Sequence, residues 1–246
     1  MTVFTDEPAP GIRVLTIDRP GKLNAFDSEA DVEMADAVID AEQDVSVRAV
    51  VITGAGGVFT SGNDLQDFAE GPEAQEWLRM LQSISAADTP IIAAVEGFAI
   101  GIGTTLLLHC DLAYAGRSTM FAMPFVKLGL SPEGASSLLL PHVAGAKGAS
   151  ELLLLGEKFD TSDAQTFGLI NRVVDDGAAL TRAIAAAEAI SKSPQDSVRL
   201  TKRLLRRNRT LVESVLIEEA ELFVERRNSH ESRALISRVI SSKSAV

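Results

Sequence analysis

Short apolar runs alternate with glycine turns and amphipathic segments over the first half of the chain. Four runs predict strands, at residues 12–17, 49–53, 91–95 and 112–115, and the second and third are apolar throughout, as in strands covered on both faces. Residues 101–109 predict a helix after a glycine turn, and residues 27–44 predict one whose buried side is Val32, Ala35, Ile39 and Ala41. This alternation predicts parallel βαβ packing and the α/β class.

Beyond Pro132 the pattern becomes helical. Amphipathic periodicity predicts helices at residues 133–143, 146–155, 162–167, 178–191, 195–208, 211–226 and 229–240. We expect a sheet-containing core at residues 1–190 and a helical region for oligomerisation at residues 191–246. The apolar residues expected to mediate that contact are Leu211, Val215, Ile217, Leu222, Leu235 and Ile236.

Composition excludes several classes of function. The chain has 246 residues and a net charge of -11, which makes nucleic acid and anionic membranes poor partners. One cysteine and three scattered histidines exclude a disulfide framework and the usual zinc motifs, so no metal site is expected. Glu96 and several glycines interrupt the apolar stretch at 91–108, and residues 1–7 lack the features of a secretory leader. We therefore expect a cytoplasmic protein without a membrane span.

Two glycine turns, at residues 59–65 and 97–103, each follow a buried strand and precede a helix. Such turns can present free backbone N–H groups to an anionic oxygen, or they can be structural only. The second turn has Leu106 where a dinucleotide-binding fingerprint requires glycine or alanine, and no glycine turn is followed by the Lys-Ser or Lys-Thr of a P-loop. The turns therefore favour neither kind of nucleotide site.

Read in order, several segments closely resemble the crotonase (enoyl-CoA hydratase/isomerase) superfamily. They are residues 19–26, 51–54, 58–65, 90–97, 101–103, 110–115, 121–137 and 164–171. The resemblance covers nearly the whole chain at matching spacings. It implies a spiral of repeated ββα units, a coenzyme A thioester substrate, no separate cofactor, and a homotrimer or homohexamer assembled through the C-terminal helices.

The resemblance also implies roles for individual residues. The backbone N–H groups of Asn63 and Ile102 would form an oxyanion hole, where fixed donors stabilise a developing enolate oxygen. Trp77 and Phe125 are candidates for the acyl pocket, although Trp77, on a helix after Gly71 and Pro72, is equally typical of core packing. Asp64 is also typical of a helix N-cap. The coenzyme A contacts would fall on Lys22, Leu23, Ala25, Ser61, Gly62, Asp64, Leu65 and Gly101.

The residues that match the catalytic positions favour one reaction. Hydratases of this superfamily use two glutamates, and the matching positions here are Thr105 and Phe125. Glu133 remains, in a segment similar to that of the peroxisomal-type Δ3,Δ2-enoyl-CoA isomerases, in which this glutamate is the single base. We expect partial burial to raise its pKa toward about 6, opposed by the N-terminus of the helix predicted at 133.

Other interpretations stay open at this stage. Glu133 could be only a first-turn helix residue, and the reaction could be hydration by other residues, thioester hydrolysis or decarboxylation. A catalytically silent acyl-CoA-binding subunit is a further alternative. His109, His142, Cys110 and Asp111 are expected to be packing or structural residues, and Glu96 is a weaker candidate acid.

Overall fold

The structure is a computed structural model that describes residues 1–70 and 75–243, so Gly71 and Pro72 lie outside the described residues. The strands are β1 (Val3–Ala9), β2 (Ile12–Ile17), β3 (Ala49–Gly54), β4 (Ile91–Val95), β5 (Phe98–Ile100), β6 (Leu112–Gly116), β7 (Met120–Ala122), β8 (Lys158–Phe159) and β9 (Arg172–Val174). The helices are α1 (Ser28–Gln43), α2 (Leu65–Glu70), α3 (Gln75–Ala86), α4 (Ile102–Thr105), α5 (Ser136–Val143), α6 (Gly145–Leu155), α7 (Thr161–Thr166), α8 (Ala179–Ser191), α9 (Gln195–Leu205), α10 (Arg209–Arg227) and α11 (His230–Lys243).

The strands form two sheets that the chain visits in turn. The larger sheet has the order β1-β2-β3-β4-β6-β9, and all of its pairs except β1 with β2 are parallel. The smaller sheet has the order β5-β7-β8, and the bridge between Thr60 and Ala99 extends it toward the segment after β3. After β3, β4 and β6 the chain thus crosses from the larger sheet to the smaller one. This repeated crossing positions the glycine turns.

Helices cover the larger sheet on both faces. One face carries Leu15, Val50, Ile52 and Ala93 and belongs to the main core with α1, α3 and α10. The other face carries Val14, Val51 and Ile92, against which α8 packs its small residues, Ala179, Ala183, Ala186 and Ala187. β3 and β4 are apolar along their whole length because their alternate side chains enter two different cores.

Some expectations from the sequence are wrong in detail. The helix predicted at 133–143 begins at Ser136, and the one predicted at 101–109 is α4 followed by a 3₁₀ turn at Leu106–Leu108. Val32 is exposed, since the buried side of α1 is formed by Met34, Ala35, Val38 and their neighbours. Of the residues expected to mediate oligomerisation, Ile236 is buried inside the subunit, whereas the exposed ones are Leu211, Ile217 and Leu222.

Among the helices that the structure describes, none combines the length and the hydropathy needed to cross a bilayer.

Candidate active site

The two glycine turns lie side by side. The Thr60 N–H donates to the Phe98 carbonyl at 2.9 Å, and the Ile100 N–H donates back to the Thr60 carbonyl at 3.2 Å. Gly62 has a φ of +90°, and a Cβ at this residue would lie 2.7 Å from the Ile100 carbonyl oxygen. Position 62 therefore requires glycine both for its backbone conformation and for the close approach of the two turns.

Each turn presents one free backbone donor. Gly62 O accepts the Phe26 N–H at 2.9 Å and Asp64 N donates to Phe26 O at 2.7 Å, so the Asn63 N–H between them points away from this bridge. Ile102 is the first residue of α4, where an N–H has no partner within its own helix. In the part of the chain that the structure describes, neither N–H donates a hydrogen bond to the protein.

Both donors border one cavity of about 210 Å³. Phe125, a candidate for the acyl pocket, lines it together with Phe68, Leu130 and Phe223. Trp77 is not among its lining residues: it packs behind the wall, with its ring centroid 5.6 Å from that of Phe223. The core-packing interpretation of Trp77 is therefore the one that fits.

Phe223 could not be assigned to this cavity from the sequence. Its spacing from Leu216 and Ala220 predicts only a buried face of a helix, and the fold decides that this face of α10 closes the cavity.

Glu133 lies in a non-helical segment just before α5. Gly134 and Ala135 both have positive φ, at 72° and 53°, which turns the chain before the helix begins. The Glu133 side chain is only 1% exposed, and its Oε1 accepts a hydrogen bond of 2.5 Å from the Thr105 hydroxyl. Its Oε2 is buried without a hydrogen-bond partner among the described residues.

The environment of Glu133 favours the protonated form more strongly than expected. Burial raises the pKa of its carboxyl to about 8, against the lowering effect of the Thr105 hydrogen bond and with a further rise from the charge of Glu219. This value lies above the expected one near 6 because the carboxyl is fully rather than partly buried. The first turn of α5 is occupied by Glu219, whose Oε1 accepts the Ser137 N–H at 2.9 Å.

Some of the residues assigned to coenzyme A contact the first glycine turn from outside the cavity. Lys22 and Leu23 are exposed, the Ser61 N–H donates to Leu23 O at 3.0 Å, and the Ser61 hydroxyl donates to Lys22 O at 3.2 Å. Asp64 pairs with Lys22 at 3.3 Å and with Arg19 at 3.4 Å.

The remaining residues assigned to coenzyme A lie close to this group. Asp64 Oδ1 accepts the Gln66 N–H at 3.2 Å, so its carboxylate also holds the start of α2. Ala25 is buried, and Ser61, Gly62, Leu65 and Gly101 line the cavity.

The other candidates have structural contacts. Burial lowers the pKa of His109 to about 4, so the neutral ring donates from Nε2 to the Gly134 carbonyl at 2.8 Å. Burial raises the pKa of Cys110 to about 12, and Asp111 pairs with Lys202 at 2.7 Å. Glu96 accepts the Ala179 N–H at 3.0 Å. His142 is exposed, so the expectation that it is a packing residue is wrong.

Comparison with known proteins identifies the family. The profile of the enoyl-CoA hydratase/isomerase family matches residues 7–239. The chain belongs to this family. It is 34% identical to the 1,2-epoxyphenylacetyl-CoA isomerase of Escherichia coli over 205 residues, which cover 79% of the chain and 78% of that protein. It is 32% identical to human enoyl-CoA delta isomerase 2, with 95% of the chain and 62% of the human protein covered.

Solved structures of this family share the fold. An enoyl-CoA hydratase/isomerase from Pseudoalteromonas atlantica superposes with a TM-score of 0.93 at 36% identity, and 98% of each chain is covered. The predicted crotonase-like fold is thus confirmed, and the protein is a crotonase-type acyl-CoA enzyme. Since the relatives carry the names of different reactions, the family does not decide which reaction this member catalyses.

Proposed function

We propose that the protein is a Δ3,Δ2-enoyl-CoA isomerase in which Glu133 is the single acid/base. The observation that carries the proposal is the Thr105 hydroxyl, which lies 2.5 Å from Glu133 Oε1 and 3.3 Å from the carbonyl oxygen of Ile102. One side chain thus separates the buried carboxyl from the turn that supplies a free N–H. Thr105 and Phe125 occupy the positions that the resemblance assigns to the hydratase acids, and neither carries a carboxylate.

The proposed reaction needs only these groups. The thioester carbonyl accepts hydrogen bonds from the Asn63 and Ile102 N–H groups, and the apolar acyl chain lies along Phe125 and Leu130. Glu133 removes a proton from C2, and the electrons of the C–H bond form an enolate whose oxygen the two donors stabilise. Glu133 then returns the proton to C4, and the double bond moves from C3–C4 to C2–C3.

The proposal sets the pH dependence of the free enzyme. Only the carboxylate can accept the C2 proton, and its pKa is raised to about 8. At about pH 7 roughly one tenth of the molecules therefore carry the active base. We expect kcat/KM to rise with pH and to level off above about pH 8.

The test compares two substrates and two matched variants. Purified protein is assayed with a 3-enoyl-CoA, which gains conjugation on isomerisation, and with a 2-enoyl-CoA, which loses it on hydration. Glu133→Gln should lower kcat for isomerisation at least about 100-fold and leave acyl-CoA affinity within a few-fold. Glu96→Gln is the control, because its amide oxygen can still accept the Ala179 N–H.

Three results would reject the proposal. They are faster hydration of the 2-enoyl-CoA than isomerisation of the 3-enoyl-CoA, near-normal isomerisation by folded Glu133→Gln, and acyl-CoA binding without turnover of either substrate.

A further inference from the structure

Thr105 lies in a confined position between Glu133 and the turn that carries the Ile102 N–H. It is the last residue of α4, its side chain is fully buried, and three oxygens lie within reach of its hydroxyl. Glu133 Oε1 is at 2.5 Å, whereas the carbonyl oxygens of Ile102 and Gly101 are at 3.3 and 3.5 Å. Since the hydroxyl has one proton to donate, the short contact to the carboxyl is the dominant one.

Packing fixes the side chain in this position. A Cβ placed on Gly134 would lie 2.9 Å from the Thr105 Cβ and 3.0 Å from its hydroxyl oxygen. The backbone of residue 134 therefore lies directly against Thr105. His109 also binds this backbone, through the 2.8 Å hydrogen bond to Gly134 O, so the segment that carries Glu133 is bound at two points to the 102–109 region.

We propose that Thr105 is a positioning residue that occupies Oε1 of Glu133 and leaves Oε2 as the atom that transfers the proton. The inference rests on the proposed function, because it concerns the same acid. The two oxygens of the carboxyl have different surroundings: Oε1 accepts from Thr105, and Oε2 is buried without a partner among the described residues. A buried polar atom without a partner is uncommon and unfavourable. It is explained here if Oε2 is the atom that accepts the proton from the substrate C–H bond.

The hydrogen bond can persist through the whole catalytic cycle. When Glu133 is charged, Oε1 accepts from Thr105. When the proton taken from C2 resides on Oε2, Oε1 is a carbonyl oxygen and still accepts from the same hydroxyl. Thr105 therefore needs no reorientation between the two protonation states, and the carboxyl keeps one orientation while its proton moves from C2 to C4.

Several groups act on the charge of Glu133, and among the residues that the structure describes Thr105 stabilises it by a hydrogen bond. Burial and the charge of Glu219 on α10 raise the pKa of Glu133, and the Thr105 hydrogen bond lowers it. Asp31 on α1 is a second buried acid, whose pKa is raised first by burial and then by neighbouring acids, Glu133 among them. His109 is neutral and acts through the backbone of Gly134.

The test removes the hydroxyl and keeps the shape. Thr105→Val should shift the midpoint of the kcat/KM profile upward by about 1 pH unit or more, because the charged carboxyl loses its donor. At about pH 7 kcat should fall at least about tenfold with KM within a few-fold. Thr105→Ser should restore both the midpoint and kcat, since serine supplies the same donor.

The matched control is the neighbouring threonine. The Thr104 hydroxyl is also fully buried, but it donates to the backbone carbonyls of Ala99 and Ala122. Thr104→Val should leave the pH midpoint unchanged even where it lowers the thermal midpoint. An equal shift in Thr104→Val, no shift in folded Thr105→Val, or no rescue by Thr105→Ser would overturn the inference.

A second measurement does not depend on turnover. The carboxyl infrared band of Glu133, in protein labelled with ¹³C-glutamate and identified by its loss in Glu133→Gln, is followed against pH. An upward shift of this titration in Thr105→Val shows that the Thr105 hydroxyl holds the charged carboxyl even if the wild-type protein does not isomerise a 3-enoyl-CoA; in that case the proposed function fails, and the role of Oε2 in proton transfer fails with it. Normal isomerisation that depends on Glu133, with an unshifted band in Thr105→Val, rejects the inference and leaves the function.

Discussion

Replacing Glu133 with glutamine should change how the stability of the protein depends on pH. The carboxyl has an ordinary pKa of 4.5 in the unfolded chain, and burial raises it to about 8 in the folded protein. Below 4.5 both states bind the proton, so ionisation contributes no difference. Between these values the unfolded state releases the proton and the folded state keeps it, so the free energy of unfolding falls by about 1.4 kcal/mol per pH unit.

The magnitude follows from the width of that interval. From 4.5 to about 8 the loss approaches about 5 kcal/mol, and it stays constant above the folded pKa, where both states are charged. This is an upper limit, because water entering the cavity would reduce the penalty for the buried charge. Glutamine does not titrate, but its amide group places an unpaired donor near the position of Oε2, which costs about 1–3 kcal/mol at every pH.

The assay is urea unfolding of the wild type and of Glu133→Gln at about pH 5, 7 and 9. The difference in the free energy of unfolding between the two proteins should move in favour of the variant as the pH rises. Titrating groups that do not interact with Glu133 are common to both proteins and cancel in the difference, whereas Asp31 and Glu219 interact with it and contribute to the difference. A difference that is constant over this range, or one that moves in favour of the wild type, would refute the argument that burial raises the pKa of this carboxyl.

Three further predictions concern the glycine turn, the core and the assembly. Asn63→Ala should keep most of the activity because the donor is a backbone group, whereas Gly62→Val should lose it; equal severe losses would implicate the Asn63 side chain. Lys202→Met should lower the free energy of unfolding by about 3 kcal/mol, because Lys202 is buried and lies 2.7 Å from Asp111, whereas Arg117→Met at an exposed pair should change it by less than about 0.5 kcal/mol. Light scattering should give a trimer or hexamer, since exposed leucines lie on α9 and α10, and a monomer at micromolar concentration would contradict the assembly.

The sequence predicted the strands that are buried and missed those that are short or at an edge. β2, β3 and β4 are confirmed. Their apolar side chains are buried in a sheet that is covered on both faces, which is why the sequence pattern predicts them. β1 was missed because it is an edge strand whose residues Thr5, Asp6 and Glu7 are exposed. β5 and β7 have three residues each, which is too short for a period to be recognised.

The residues of the candidate site could be proposed from the sequence, but the environment of Glu133 could not. The resemblance pointed to Glu133 and the two turns as candidates, and the glycines explain why the turns can approach each other. The helix start was misplaced because a proline followed by an acid is typical of a first turn, whereas Gly134 and Ala135 here have positive φ. The contributions of Glu219 and Phe223 depend on how α10 packs against the core, which no local pattern contains.

The environment of Glu133 also bears on why we propose isomerisation rather than hydration. A water molecule that is to be delivered to a substrate needs about two to four polar partners to be held in place. The resemblance places the hydratase acids at positions 105 and 125, and in this chain the Thr105 hydroxyl is already donated to Oε1 while Phe125 offers no hydrogen bond. In the proposed complex the two free N–H groups are taken by the thioester oxygen, so Oε2 is left as a single acceptor. One acceptor is sufficient to take a proton from carbon and return it, but it is a poor site at which to bind and orient water.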